Sequence, residues 1–162
     1  MLENAFCAVW DDLVCFPVKC RVSYEDSWME ERTYGGKRGH EGTDLMPPTN
    51  QRGFYPVFSA TAGTVEHMGW LQKGGWRIGI RSEQGGYFYY AHFSEYAPGM
   101  EEGKTVEAGE MLGYMGDSGY GEEGTVGQFA VHLHFGIYIQ TADGREVSVD
   151  PYWILKGLEG EP

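Results

Sequence analysis

The chain has 162 residues and a mass of 18.2 kDa, which is the size of one domain. Lys and Arg number 12 against 24 Asp and Glu, giving a formal net charge of −12. This excess of negative charge argues against non-specific nucleic-acid binding and against docking on anionic lipid, which both need clustered cations. The sequence contains no run of about 20 apolar residues, so we expect no membrane insertion.

The composition favours an all-β protein. Glycine contributes 25 residues, and aromatic residues make up 15% of the chain. Glycine permits the positive φ angles of tight turns, and aromatic side chains suit the pleated, half-buried surface of a sheet. Since no stretch shows a helical period over about 11 residues, we expect few or no helices.

Residues 1–34 are predicted to form an irregular lead-in segment, and residues 35–162 the domain itself. Within the lead-in, Val14–Val22 is predicted as an edge strand, because Pro17 cannot donate a hydrogen bond to a neighbour. Ser27 and Glu30 have the spacing of a capping box, which predicts a short helical turn over 27–31. A glycine-rich loop is predicted over 35–39.

From about residue 54 onward, strand patterns repeat at short intervals. The predicted strands cover 57–60, 64–68, 76–81, 87–93, 104–106, 111–115 and 130–140. Glycine-rich turns separate them, and many short strands at close spacing are typical of an antiparallel sandwich or an open barrel.

The clearest predicted strand runs from Val131 to Ile139. Its apolar residues alternate strictly with His132, His134, Gly136 and Tyr138, so the two histidines lie on one face. Such a pair could converge on a metal ion or simply occupy an exposed polar face. The pair by itself does not distinguish these alternatives.

His40 and Asp44 form a second group of potential metal ligands. Gly42 between them, and the prolines soon after, oppose a long helix, and a bend at Gly42 could bring the two side chains together. Together with one strand histidine they would give three ligands and an open fourth position, the arrangement of catalytic zinc. His92 lies among aromatic residues and would by itself be interpreted as half-buried.

Five segments in this order resemble the lysostaphin/LytM-type zinc metallopeptidases, which cleave peptide cross-links of bacterial cell walls. They are His-Glu-Gly-Thr-Asp-Leu-Met-Pro-Pro at 40–48, Val-Phe-Ser-Ala-Thr-Ala-Gly-Thr-Val at 57–65, Tyr-Ala-His-Phe-Ser at 90–94, a glycine-punctuated hairpin at 102–116, and His-Leu-His-Phe at 132–135. An Asp-Pro pair follows at 150–151, as in that family.

The resemblance implies a fold, a cofactor and roles for individual residues. The fold would be the antiparallel sandwich or open barrel of the duplicated hybrid motif. His40, Asp44 and His134 would bind one Zn²⁺, and His92 and His132 would be catalytic histidines that do not ligate it. A zinc-activated water would then hydrolyse stem peptides or cross-links of peptidoglycan. His67 matches no family position.

The resemblance also implies where such a chain acts. Its substrate lies outside the cell or in the cell envelope, yet the N-terminus shows no export signal. We therefore expect a truncated or anchored catalytic domain, acting as a monomer. Two stretches, 49–56 and 116–131, are longer than usual in the family and would border the substrate groove, so the sequence does not determine which bond is cleaved.

Two other functions are compatible with parts of the pattern. A cupin-like all-β metalloenzyme would share the His-x-His, but it needs a Glu a few residues later, and residues 136–140 contain none. A catalytically silent binding or scaffold module of the peptidase fold would require a missing ligand, and none is missing. The hairpin 103–116 resembles that of lipoyl carrier domains but has no evident lysine at its tip.

Overall fold

The computed structural model of the chain describes residues 12, 13, 15–32 and 38–159. Two short strands form a hairpin, β1 (Glu31–Arg32) and β2 (Arg38–Gly39). The main sheet contains β3 (Thr43–Leu45), β4 (Pro56–Phe58), β5 (Gly63–Leu71), β6 (Gly75–Ser82), β7 (Tyr87–Tyr96), β8 (Thr105–Val106), β9 (Met111–Met115), β10 (Leu133–Gln140) and β11 (Glu146–Val149). One short helix, α1 (Tyr152–Glu159), follows. The predicted all-β fold is thereby confirmed.

The main sheet is antiparallel and does not close into a barrel. Its strands follow the order β11-β10-β7-β6-β5-β8, while β3 pairs with β10, and β9 pairs with both β4 and β7. Register shifts interrupt the pairings of β6 with β7 and of β7 with β9. Such irregularities bend and twist a sheet locally, and here they coincide with the part of β7 that carries His92.

The core lies on the face opposite His134 of β10 and His132, which stands just before the strand, as the alternation predicted. Leu133, Phe135 and Ile137 are buried, while His134 on the same strand is only half-buried. The ring of Phe135 lies 5.2 Å from that of Tyr90 on β7, centroid to centroid. This packing fixes which way β10 faces, and therefore which way His134 points.

The predicted strand over Val14–Val22 is wrong for residues 15–22, and Val14 lies outside the described residues. Cys15 donates to the carbonyl of Ala60, and Pro17 accepts from Phe58, so the segment makes single hydrogen bonds beside β4 rather than a ladder. Pro17 has no N–H with which to continue such a ladder. Ser23, the residue after this segment, forms an isolated bridge with Met46.

The predicted helical turn over 27–31 is a single tight turn. Met29 donates to the carbonyl of His40 at 2.6 Å, and His40 donates to the carbonyl of Glu30 at 2.8 Å, so long-range pairing replaces helical bonds. The predicted loop over 35–39 lies partly outside the described residues, and its last two residues form β2.

Helix α1 was not predicted, because eight residues are too few to show a helical period. Ile154 and Leu155 anchor it to the core. No helix among the described residues is both long enough and apolar enough to cross a membrane.

Candidate metal centre and active site

Three side chains meet at the N-terminal end of β10. Strand pairing brings His134 directly opposite Asp44 on β3, and His40 precedes β3 by a short bend. Asp44 Oδ1 lies 3.1 Å from His40 Nε2 and 3.0 Å from His134 Nδ1, and the two nitrogens are 3.1 Å apart. The donor atoms of all three residues lie within 4.8 Å of one another.

The dimensions of this triangle suit a small divalent metal ion. Ligands placed tetrahedrally at zinc bond lengths have donor atoms about 3.3 Å apart. The observed separations of 3.0–3.1 Å are close to that value. Two imidazoles and one carboxylate also match the donor types that zinc takes in hydrolytic sites, so His40, Asp44 and His134 could hold Zn²⁺ with one position left open.

Gly42 makes the bend between His40 and Asp44 possible. Its φ is 153°, and a Cβ there would lie 2.7 Å from His134 Cε1. Real Cβ atoms do not approach other atoms so closely, so a larger residue would displace the imidazole. The bend predicted at this position is therefore confirmed, and it is required for the approach of His134.

A residue of the lead-in segment orients His40. Ser27 Oγ lies 3.0 Å from His40 Nδ1, and the Ser27 carbonyl oxygen lies 3.3 Å from the same nitrogen. A donor–acceptor contact at Nδ1 fixes the ring and leaves Nε2 directed at Asp44. The carbonyl oxygen of Glu41 similarly lies 3.2 Å from His134 Nε2. Sequence reasoning missed Ser27, whose spacing with Glu30 indicated a helix cap instead.

Asp44 is held in its ionised form. Burial on its own would raise the pKa of this carboxyl, but hydrogen bonds from His134 and His40, together with the nearby imidazoles, lower the pKa far below its ordinary value. A carboxylate ligand must be ionised to bind a metal, so Asp44 is already in the protonation state that metal binding requires.

His92 and His132 lie beside the cluster, and both are buried. His92 Nδ1 lies 2.7 Å from the carbonyl oxygen of Ser118, and His132 Nδ1 lies 2.8 Å from that of Ala130. Because a carbonyl oxygen only accepts hydrogen bonds, each Nδ1 carries the proton and each Nε2 has its lone pair available. His132 Nε2 is 3.6 Å from Asp44 Oδ1.

The backbone of His92 departs from ordinary strand geometry. Its φ is 70°, in the left-handed region that residues with a side chain rarely adopt. The residue sits at the break in β7, where its N–H donates to the carbonyl of Gly74 at 2.8 Å. Strained backbone of this kind persists where the surroundings determine it, and it is concentrated at functional sites.

Both buried imidazoles favour their neutral form. Burial lowers the pKa of His92 well below its usual value, and the neighbouring His132 and His134 lower it further. Burial also lowers the pKa of His132, against an opposing effect of Asp44. At neutral pH each can therefore accept a proton.

The two long loops noted in the sequence contact each other next to these histidines. Arg52 forms two hydrogen bonds with the buried carboxylate of Asp117, at 2.6 and 3.1 Å. Asn50 Oδ1 accepts a hydrogen bond from Val131 N at 2.8 Å. Phe129 places its ring 4.6 Å from that of His92, centroid to centroid. The loops thus form the wall behind the two catalytic candidates.

The five candidate residues open into one groove of about 960 Å³. His40, Asp44, His92, His132 and His134 all line it. His67 also borders the groove, but at another place, where its Nδ1 lies 2.9 Å from the Tyr87 hydroxyl. Among the described residues, the group that could hold a metal ion contains His40, Asp44 and His134 but not His67.

Comparison with known proteins is consistent with this site. The model of peptidase family M23 matches residues 38–151. The L-Ala–D-Glu endopeptidase of Bacillus subtilis (strain 168) is 44% identical over 144 residues, covering 88% of this chain and 42% of the relative. The chain therefore spans about two fifths of the length of that curated relative.

Solved structures give the same result. A Ruminococcus gnavus ATCC 29149 protein, assigned provisionally as a glycyl-glycine endopeptidase lytM, aligns with a TM-score of 0.85 and 56% identity, covering 94% of this chain and 62% of its own. The catalytic domain of lysostaphin from Staphylococcus simulans aligns with a TM-score of 0.62 and 26% identity, covering 83% of this chain and 92% of its own.

Proposed function

The chain belongs to peptidase family M23, and on that premise we propose that it is a zinc-dependent endopeptidase acting on the peptides of bacterial peptidoglycan. The observation that carries the proposal is the convergence of His40, Asp44 and His134, whose donor atoms lie within 4.8 Å of one another in an open groove. A cupin-like enzyme is disfavoured by the fold, and a silent scaffold by the complete ligand set.

His40, Asp44 and His134 would hold the metal ion. A bound Zn²⁺ would polarise the scissile carbonyl and bring the pKa of a coordinated water close to neutrality. Ser27 and the carbonyl of Glu41 would keep the two ligating imidazoles in orientation. The carboxylate of Asp44 balances part of the positive charge that the site acquires.

His92 and His132 would handle the protons. Each has an Nε2 free to accept the proton of the attacking water, since its Nδ1–H is engaged by a carbonyl. The imidazolium that results can stabilise negative charge on the carbonyl oxygen or protonate the leaving amine. Their ring centroids are 4.8 Å apart, so both can serve one scissile bond.

The relatives support the proposed substrate class, and their names give two different bonds. One relative is an L-Ala–D-Glu endopeptidase, and one solved structure is assigned to glycyl-glycine bonds. Both bonds belong to wall peptides, so the proposed site of action is the cell envelope or the exterior.

The test combines metal analysis with digestion of purified peptidoglycan. Wild-type protein loaded with zinc should hold one metal ion and release new peptide ends that mass spectrometry identifies. His40→Ala should lose both the metal and the fragments, because two ligands do not hold zinc tightly. His67→Ala removes a histidine from the same groove outside the ligand cluster and should retain the metal. Cleavage that persists in His40→Ala would refute the proposal.

A further inference from the structure

The groove carries positive charge that the proposed chemistry does not use. Lys73, Arg77 and Arg81 line it on the side formed by β5 and β6. The chain as a whole has twice as many acidic as basic residues, 24 against 12. A cation inside the groove that has no carboxylate partner is available to an anionic group of a ligand.

Arg81 is already neutralised. It lies 2.8 Å from Glu66 Oε2 and 2.7 Å from Glu146 Oε1, so two carboxylates enclose its guanidinium. These ion pairs also engage the carboxylates of Glu66 and Glu146, which line the groove beside Arg81. Arg81 is therefore not available to an incoming anion, and neither glutamate is free to repel one.

Arg77 differs in this respect. Within the described part of the chain it forms no ion pair, and one of its N–H groups donates to the backbone carbonyl of Met68. A guanidinium has five N–H donors, so most of its hydrogen-bonding capacity is not used by that bond. Lys73, in the turn before β6, likewise has no carboxylate partner among the described residues.

Arg77 lies two strands across the sheet from the proposed metal centre. Strand pairing sets His134 on β10 opposite Ala91 on β7, and Arg77 on β6 lies between residues that pair with Tyr90 and Phe93. Arg77, Ala91 and His134 all face the groove. Two strand spacings separate β6 from β10, which is about 10 Å.

At that distance from the metal centre, Arg77 can contact a substrate residue close to the scissile bond. An extended peptide advances about 3.3 Å per residue, so a side chain within three residues of the bond would reach Arg77. Tyr89 lies between the two points, with its ring 5.8 Å from that of His134. Burial raises the pKa of the Tyr89 hydroxyl, and the positive charge of Arg77 partly opposes that rise.

We propose that Arg77 binds a carboxylate of the peptide substrate near the scissile bond, so that the enzyme selects acidic peptides over oligoglycine bridges. The proposal rests on the proposed endopeptidase function. A glutamyl residue keeps one free carboxylate whichever of its carboxyls is in the chain, whereas an oligoglycine bridge offers none. The planar guanidinium matches a carboxylate with two parallel hydrogen bonds.

The experiment compares three peptides with the zinc-loaded protein. The first contains L-Ala–D-Glu with its free carboxylate, the second is identical except that this carboxylate is amidated, and the third is pentaglycine. Hydrogen bonds to a charged group are stronger than those to a neutral one. We therefore expect kcat/KM for the acid to exceed that for the amide by roughly tenfold or more. Arg77→Gln should bring the acid-to-amide ratio close to one, and Arg77→Lys should restore part of it.

The ratio is insensitive to the fraction of protein that folds, because both peptides meet the same enzyme. Arg145→Gln makes the same substitution at an exposed turn and should leave the ratio unchanged. Equal cleavage of acid and amide by the wild type, or an unchanged preference in Arg77→Gln, would overturn the role of Arg77 while leaving the peptidase intact.

A failure of the peptidase itself is distinguishable. If the zinc-loaded protein cleaves none of the three peptides and no peptidoglycan, the proposed function is wrong. Calorimetric titration of the acid and amide peptides into the wild type and Arg77→Gln then tests the carboxylate site separately. Tighter binding of the acid that disappears in Arg77→Gln would support the site, and equal binding would exclude it.

Discussion

The end of the groove that carries the candidate metal ligands and the end that carries His92 and His132 are built differently. Asp44 and His134 face each other across an ordinary antiparallel pairing of β3 with β10. His92 instead lies at a break in β7 with a φ of 70°, and His132, which precedes β10, forms an isolated bridge with Gly116. Strand register sets the positions of the side chains at the first end, and the surrounding loops set them at the second.

The comparison shows how the two roles are separated in the fold. Ligands must keep fixed distances, which a paired strand provides. The two buried histidines must present a lone pair at a particular place, and the carbonyls of Ser118 and Ala130 impose this by holding each Nδ1–H. Loop 116–131 supplies both carbonyls, and the ion pair of Arg52 with Asp117 fastens that loop. Substitutions at the two ends should therefore have different consequences.

The largest difference is expected between His92→Ala and any ligand substitution. His92→Ala should lower kcat by about 10² to 10⁴, the usual contribution of a general acid or base, and should leave the zinc content at one per chain. Measuring kcat and metal content on the same preparation gives the comparison. Loss of zinc in His92→Ala would mean that the two ends are not separate.

Ser27→Ala should lower the affinity of the proposed metal site for zinc, because Ser27 orients His40. Removing its hydroxyl from His40 Nδ1 is expected to lower zinc affinity by about tenfold, at the low end of the range for groups that orient a ligand. The backbone carbonyl of Ser27 remains 3.3 Å from the same nitrogen and limits the loss. Competition with a chelator measures the affinity, and Ser23→Ala, at an exposed position of the same segment, is the control. Equal affinities in both variants would contradict an orienting role.

The smallest effect is expected for Asp26→Asn, which changes thermal stability where the lead-in segment meets α1. Burial and a hydrogen bond with Asp26 raise the pKa of Asp150 to about 6. A group with a raised pKa in the folded state stabilises the fold at low pH and loses that contribution as pH rises through about 6. Asp26→Asn should therefore raise the melting temperature at pH 7 and have little effect at pH 4.

Thermal melts across this pH range test the expectation. Glu101→Gln, which removes one exposed carboxylate elsewhere, serves as the control for net charge. A gain in Asp26→Asn that is the same at pH 4 and pH 7 would show that the pair does not titrate as described.

Much of the site could be predicted from the sequence because the patterns that indicate it span only a few neighbouring residues. Alternation along Val131–Ile139 places His132 and His134 on one face, whatever packs against the other face. Gly42 between His40 and Asp44 indicates a bend. The lead-in segment was less predictable, because the hydrogen bonds of Cys15 and Met29 go to residues distant in sequence.

The sequence by itself determined the all-β class, the family resemblance and the five candidate residues, since these depend on residue type and short spacing. Only the tertiary structure decided that Ser27 orients His40 and that Ser118 and Ala130 hold the two buried histidines. It also decided that Arg81 is neutralised while Arg77 has no carboxylate partner among the described residues. The physical reason is that a hydrogen bond or an ion pair depends on which distant groups the fold brings within about 3 Å.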